Sequence, residues 1–519
     1  MDVSDLDLRS MQEARQLVSR AKAAHEKYAG FTQERVDRIC AAIAEAGYQA
    51  AEHLARLAVE ESGFGTVAGK TQKNVFNTVD LWQSIKDFPT VGVVRRDEQR
   101  RVYEIVEPYG VVLAIVPITN PTSTALFKIL ISLKARNTIV VSPHPRGVRC
   151  VGESARICYE AALRAGAPEG VIGWMQQPTL QGTQEAMRHR ATDLILATGG
   201  PDLVKAAYSA GKPAIGVGPG NCPAYIDRSA DVPHAVRMLV LSKTFDNGTV
   251  CASEQSVVID APVKAAVMAE FARQRAHLLN EAERRLLERI VARGGRMNPD
   301  IVGQHPRRIA EMAGFSVPAD TTVLLAEEAG VGPDHPLSIE KLCPLLTVYT
   351  VDGWQQGCER CFDVLNFGGR GHTLVIHAQD EKVIWEFGFK KPAHRILVNA
   401  PASQGSIGFG TGLVPSMTLG CGAYGNNILS DNISVHNLVL YKRLAWGYEG
   451  FWDRKLAGRP AIGIGTAHDQ GALPPVQPVP APAPPPAPCA DPKPPAPKPG
   501  ESASYQQRYS FLKREKHRF

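Results

Sequence analysis

The 519-residue chain contains no run of 18 or more apolar residues. Its longest clear candidate, Val111-Val-Leu-Ala-Ile-Val-Pro-Ile118, is the size of a strand, which argues against a membrane-spanning helix. It also lacks a strong excess of either charge: a formal net charge of +6 over such a length gives no footprint for nucleic acid. A disulfide framework is missing too, because ten cysteines scattered along a large chain read as reduced thiols. The first residues, Met1-Asp-Val-Ser-Asp-Leu-Asp7, are acidic where a secretory signal needs positive charge and an apolar stretch. No internal repeat is visible. These absences predict a soluble, cytoplasmic protein of two to four domains, with no nucleic-acid or membrane partner.

What is present divides the chain. Fourteen of its 38 prolines lie between Pro474 and Pro499, a composition that favours polyproline II over a packed core. At about 3.1 Å per residue such a spacer reaches roughly 80 Å. Beyond it, Tyr505, Tyr509 and Leu512 fall at i, i+4, i+7 within a basic segment, which reads either as a solvated tail or as a docking peptide on a tether. Upstream, residues 9–28 and 32–58 carry helical periodicity, and Arg101–Gly110 reads as a hairpin arm leading into a buried strand at 111–116. Strand-like 138–142, a helix near 151–165, strand-like 193–198 and a helix near 201–210 follow. This βαβ alternation predicts a parallel sheet with helices on both faces, and a second alternating block spans about 228–418.

Four segments hold residues with chemical potential. In Thr244-Phe-Asp-Asn-Gly-Thr-Val-Cys251, a turn delivers one cysteine just before a strand, where nearby backbone N–H groups favour the thiolate; the alternative is a buried small hydrophobe. Ala197-Thr-Gly-Gly200 and Gly216-Val-Gly-Pro-Gly220 offer glycine-rich turns of the kind that admit phosphate at a helix start, or that merely close loops. Cys358-Glu-Arg-Cys361 has no second cysteine or histidine pair at zinc-site spacing, so core packing is favoured on the helix 353–366 and no metal is expected. His372 stands in a glycine-rich stretch, Gly368-Gly-Arg-Gly-His-Thr373, read as a loop, where it serves as acid, base or strand cap.

In chain order, Glu61-Ser-Gly-Phe-Gly65, Pro117-Ile-Thr-Asn-Pro-Thr-Ser-Thr124, Ser142-Pro-His-Pro-Arg146, Ala197-Thr-Gly-Gly200, Gly218-Pro-Gly-Asn-Cys-Pro223, Val250-Cys-Ala-Ser-Glu-Gln255, Glu340-Lys-Leu-Cys-Pro344, Gly371-His-Thr373 and Thr418-Leu-Gly-Cys-Gly422 resemble the aldehyde dehydrogenase superfamily. Within it they resemble the CoA-acylating branch, which includes microcompartment acetaldehyde and propionaldehyde dehydrogenases and the aldehyde domain of bifunctional aldehyde–alcohol dehydrogenases. The likeness covers about residues 10–450. It implies an α/β fold with a Rossmann-type cofactor domain at 1–227 and a catalytic domain at 228–418, with 419–450 returning to the first. An oligomerisation arm would be built near 97–112 and 430–446; outside the likeness, composition gives a Pro-rich disordered linker at 470–500 and leaves 501–519 as a candidate targeting peptide.

The resemblance also assigns roles. Cys251 matches the nucleophile that forms a hemithioacetal and then a thioester. Asn120, or Thr119 one place earlier, matches the oxyanion donor. Glu340 matches the residue that binds the nicotinamide ribose, with Leu342 in place of the usual Phe. His144 replaces the Lys at the adenosine ribose, which favours NAD over NADP. Thr198, Gly199 and Gly200 match the pyrophosphate turn, and Pro117, Ile118 and Gly218 belong to the same cofactor wall. His372, in the Gly-His-Thr typical of the CoA-using branch, is a candidate for assisting the thiol. Hydrolytic members carry a general-base Glu where this chain has Val217, and a valine cannot accept a proton from water. Coenzyme A, a thiol with a pKa of about 8–9, is therefore the expected acyl acceptor. The implied reaction is aldehyde + CoA + NAD → acyl-CoA + NADH in a homodimer or homotetramer, with placement in a bacterial microcompartment as an extension. A hydrolytic aldehyde dehydrogenase and an inactive scaffold acting through its tail are the rival readings.

Overall fold

The structure, a computed structural model, describes residues 5–448. Its first helix, Leu6–Tyr28, is capped by Asp5, whose carboxylate accepts the N–H groups of Asp7 and Leu8. That helix buries Ala14, Val18, Ala21, Ala24 and Tyr28 at three- and four-residue spacing. The helical stretch expected over 32–58 is two helices, Gln33–Gln49 and Ala51–Ser62. The chain turns at Ala50 (φ −90°, ψ 1°) without the Gly or Pro that would mark the break. Gly63, at φ +72°, ends the second of them. Just before it, the Glu61 carboxylate accepts the N–H groups of Arg149 (2.8 Å) and Cys150 (2.7 Å), which satisfies the open end of the helix Val148–Arg164.

An antiparallel hairpin, β1 (Val93–Asp97) and β2 (Val102–Pro108), leads into a parallel sheet. That sheet comprises β3 (Val111–Val116), β4 (Thr138–Pro143), β5 (Ile172–Trp174), β6 (Leu194–Thr198) and β7 (Ala214–Val217), in the order β5-β4-β3-β6-β7. Every residue of β3 and β4 is buried, as a sheet covered on both faces requires. The strand order reverses between β3 and β6, and ligands bind at the carboxyl ends of strands at such a switch point.

A second all-parallel sheet, in the order β10-β13-β14-β9-β8-β15-β16, is assembled from β8 (Cys222–Ile226), β9 (Glu254–Asp260), β10 (His277–Leu278), β13 (Leu324–Glu327), β14 (Leu345–Val351), β15 (Gly371–His377) and β16 (Ala393–Val398). Between β10 and β13 lies a short hairpin of β11 (Ala292–Arg293) and β12 (Arg296–Met297). The last described strand, β17 (Val439–Ala445), pairs antiparallel with β2, and among the described residues its other edge is open.

Three expected boundaries move. The second sheet begins at Cys222, not 228, because the chain crosses over within Gly218–Asn221 and pairs at once with β9. The arm is Val93–Pro108 with Val439–Ala445; Val111 and Val112 pair with Thr138 and Ile139 inside the first parallel sheet. The helix carrying Cys358 and Cys361 is Gly353–Gly368, and both cysteines are buried among Tyr225, Tyr349 and Leu374. Residues 5–446 form one compact unit. The linker at 470–500 and the peptide at 501–519 lie outside the described residues.

Candidate active site

A cavity of about 860 Å³ opens at the carboxyl ends of β3 and β6. The turn after β3 contributes Pro117, Ile118, Thr119 and Asn120; the turn after β4, His144; the turn after β6, Thr198, Gly199 and Gly200; and the end of β7, Val217 and Gly218. Cys251, Glu340 and Leu342 complete the wall from the second sheet's side of the chain.

Cys251 follows three consecutive left-handed residues, Asp246 (φ 49°), Asn247 (φ 50°) and Gly248 (φ 74°), which turn the chain sharply before β9. Its thiol is pushed up to about 12, first by burial and then by Glu340 and Cys421, while Arg395 and its own backbone N–H pull the other way. The resting sulfur is therefore a thiol. Glu340 accepts the Gly220 N–H through Oε1 at 3.0 Å, and burial raises its carboxyl to about 8. Gly220 has no room for a side chain: a Cβ there would stand 2.2 Å from the Cys251 carbonyl oxygen.

Asn120 precedes the helix Pro121–Lys134, and its Nδ2 donates to the Thr249 carbonyl at 2.8 Å and to Thr119 Oγ1 at 3.3 Å. The Asn120 amide therefore reaches the loop that carries Cys251, whereas the Thr119 hydroxyl accepts from Asn120. Gly200 starts the helix Pro201–Tyr208, and a Cβ at Gly200 or Gly218 would meet no protein atom within 4 Å. Packing does not require glycine at either position, so the open space there fits a ligand drawn against the helix start. His144 Nδ1 accepts the Arg146 N–H, and burial together with Arg146 lowers its pKa, leaving a neutral ring. Leu342 is held at φ 48° and packs with Phe64 and Val302.

The family model for the aldehyde dehydrogenase family matches residues 3–284. The chain belongs to that family. It is similar to the bifunctional aldehyde-alcohol dehydrogenase AdhE of Escherichia coli (strain K12), 44% identical over 452 residues that cover 86% of this chain and 51% of that one. It thus spans about half the length of the curated relatives it matches. The solved acetylating aldehyde dehydrogenase of Geobacillus thermoglucosidasius is 52% identical, with a TM-score of 0.85 over 86% of this chain and 99% of that one. A propionaldehyde dehydrogenase from the Clostridium phytofermentans fucose utilisation bacterial microcompartment is 27% identical, with a TM-score of 0.76 over 84% and 97%.

His372 departs from expectation. The turn ends before Gly371, so His372 is already the second residue of β15; it is fully buried and is not part of the cavity wall. Its Nδ1 bonds Thr373 Oγ1, Nε2 has no partner among the described residues, and burial pushes the ring down to about 3. Gly220 lies beside it: a Cβ at Gly220 would also stand 3.1 Å from the His372 ring.

Several groups near the site were not singled out from the sequence. Arg296 reaches the cavity from the β11–β12 hairpin and pairs with Asp202, in the first turn of Pro201–Tyr208, at 3.0 Å. Arg395 is buried in β16 and donates to the carbonyls of Gly420, Gly371 and Ser430. Lys70, Lys73 and Asp246 form a buried cluster behind Asn120. Lys70 and Lys73 are one turn apart within Val67–Val75; that spacing was legible, but paired lysines on a helix ordinarily mark a solvated face. Among the described residues no three His, Cys, Asp or Glu side chains converge as a metal site would need, and no helix is long and apolar enough to cross a membrane.

Proposed function

We propose that this chain is a CoA-acylating aldehyde dehydrogenase for short-chain aldehydes. The Cys251 thiol gives its proton to solvent, its sulfur bonds the aldehyde carbon, and the carbonyl oxygen becomes an oxyanion held by the Cys251 N–H and Asn120 Nδ2. A nicotinamide cofactor, when bound, supplies the hydride acceptor that turns this adduct into a thioester. Glu340 would hold its ribose; Thr198, Gly199, Gly200 and Gly218 its diphosphate; Pro117, Ile118 and Thr119 the same wall. The CoA thiolate then adds to the thioester carbon, and the Cys251–carbon bond breaks with sulfur leaving as thiolate.

The observation that carries the acylating reading is Val217. It is buried at the cavity wall, where hydrolytic relatives have a carboxylate. The acidic side chains on the wall are Asp202, paired with Arg296 at the exposed end of a helix, and Glu340, bonded to Gly220. Water therefore lacks a free base beside Cys251, while a thiol needs less help. NAD rather than NADP fits the neutral His144, which offers no charge to a 2′-phosphate. The open edge of β17, with exposed Leu440 and Leu444, supports assembly into homo-oligomers through the arm. The Pro-rich 470–500 and basic-aromatic 501–519 fit a tethered targeting peptide, and the microcompartment relative suits a compartment as destination.

Acyl-CoA and free acid, quantified from one incubation with acetaldehyde or propionaldehyde and NAD, test the assignment. Acyl-CoA should dominate and acid should be scarce; equal acid with CoA omitted overturns it.

A further inference from the structure

Behind Asn120 lies a buried charge cluster that neither the thiol chemistry nor cofactor binding uses. The ammonium groups of Lys70 and Lys73 converge on Asp246 Oδ2 at 3.1 Å and 2.6 Å, and all three side chains are at most 3% exposed. The Asp246 carboxylate also accepts the Thr66 N–H at 2.7 Å and the Thr249 hydroxyl at 2.6 Å. The helix carrying the lysines approaches so closely that a Cβ at Gly69 would stand 2.7 Å from Asp246 Cα. Two ammoniums against one carboxylate leave a positive charge inside the protein, which is costly to maintain.

That charge faces the proposed oxyanion donor. Lys73 Nζ donates to Asn120 Oδ1 at 2.6 Å and to Thr249 Oγ1 at 3.2 Å, while Asn120 Nδ2 points at the Thr249 carbonyl, two residues before Cys251. An amide can be rotated end for end with little change in shape. Here the rotated form would set NH₂ against NH₃⁺ and carbonyl against carbonyl, so Lys73 selects the orientation in which the N–H groups face the Cys251 loop. A charged donor on the amide oxygen also polarises the group and makes its N–H the stronger donor.

We propose that Lys73, anchored by Asp246, is the positioning residue that orients and polarises the Asn120 amide for acyl transfer at Cys251. This rests on the assignment of Asn120 as an oxyanion donor, and the test separates the two. Single-turnover acylation (aldehyde and NAD, no CoA, reduced cofactor read optically) is measured for wild type, Lys73→Met, Asn120→Ala and the double variant, each confirmed folded by thermal melting. Removing one oxyanion donor costs about 10²–10³-fold. Lys73→Met is expected to lose about 10²-fold in rate with aldehyde and NAD KM within about twofold. The double variant should be no slower than Asn120→Ala alone, since Lys73 has no amide left to orient.

Losses that multiply in the double variant, or Lys73→Met acting within about twofold of wild type, overturn the inference while leaving Asn120 in its role. An unaffected Asn120→Ala overturns the oxyanion assignment itself, and the inference with it. Lys73→Gln, which keeps an N–H donor without the charge, guards against a fold defect in Lys73→Met. It should recover at least about tenfold over Lys73→Met, and failure to recover anything counts against orientation.

Discussion

Gly220 donates its backbone N–H to Glu340 Oε1 at 3.0 Å, tying the crossover between the two sheets to the segment that closes the cavity. The same carboxyl is raised to about 8 by burial, so the folded chain holds a proton there that the unfolded chain gives up above the ordinary glutamate range. The folded state binds more protons over that window, and stability contributed by this group falls as pH rises from about 4.5 to about 8. Glu340→Gln should keep the Gly220 bond, lose that slope, and melt higher than wild type at pH 9. With an amide in place of the carboxyl that would hold the ribose, its NAD KM should rise about tenfold. Melting curves across pH, paired with cofactor titrations, check both halves.

The Cys251 thiol sets a second expectation. With its pKa pushed up to about 12, the thiolate fraction of the free enzyme should climb about tenfold per pH unit. The other described cysteines are buried, so mild alkylation reports mainly on this one. Iodoacetamide inactivation of the NAD-free enzyme should accelerate from pH 7 to pH 10 without a plateau. A plateau near neutrality would show a thiolate stabilised in the resting site.

Val217→Glu restores a carboxylate at the wall position where hydrolytic relatives carry one. General bases contribute about 10²–10⁴-fold. Acid released in the absence of CoA should therefore rise by at least about 10²-fold, with little change in the rate of thioester formation. Product analysis by chromatography decides it.

β2 and β17 illustrate what sequence reading could and could not reach. The hairpin arm read at 101–110 and the continuous apolar runs at 111–116 and 193–198 coincide with strands. Cys251, Glu340 and the glycines at 199, 200 and 218 became candidates through the motifs that carry the family resemblance, and all five line the one cavity. The placement of His372 was not, since glycines at 368, 369 and 371 imitate a loop while the last of them opens a buried strand. Lys70 and Lys73 escaped for a different reason: their partner Asp246 is 173 residues from Lys73, a pairing that only the tertiary fold creates.

The open edge of β17 yields a prediction for assembly. Leu440 and Leu444 are 44% and 49% exposed on a strand with one side unpaired among the described residues. Leu440→Lys with Leu444→Lys should lower the mass seen by light scattering to a smaller species while the chain still folds. An unchanged mass would place the subunit contact elsewhere.

Acyl transfer to coenzyme A requires a covalent acyl group that solvent attacks slowly and coenzyme A removes quickly. Intact-protein mass spectrometry after mixing enzyme, NAD and propionaldehyde, followed by dilution into buffer with or without CoA, measures this directly. A propionyl adduct on Cys251 that persists in buffer and vanishes on CoA addition is the expected result; an adduct that decays equally fast in both, or that survives Cys251→Ala, contradicts it.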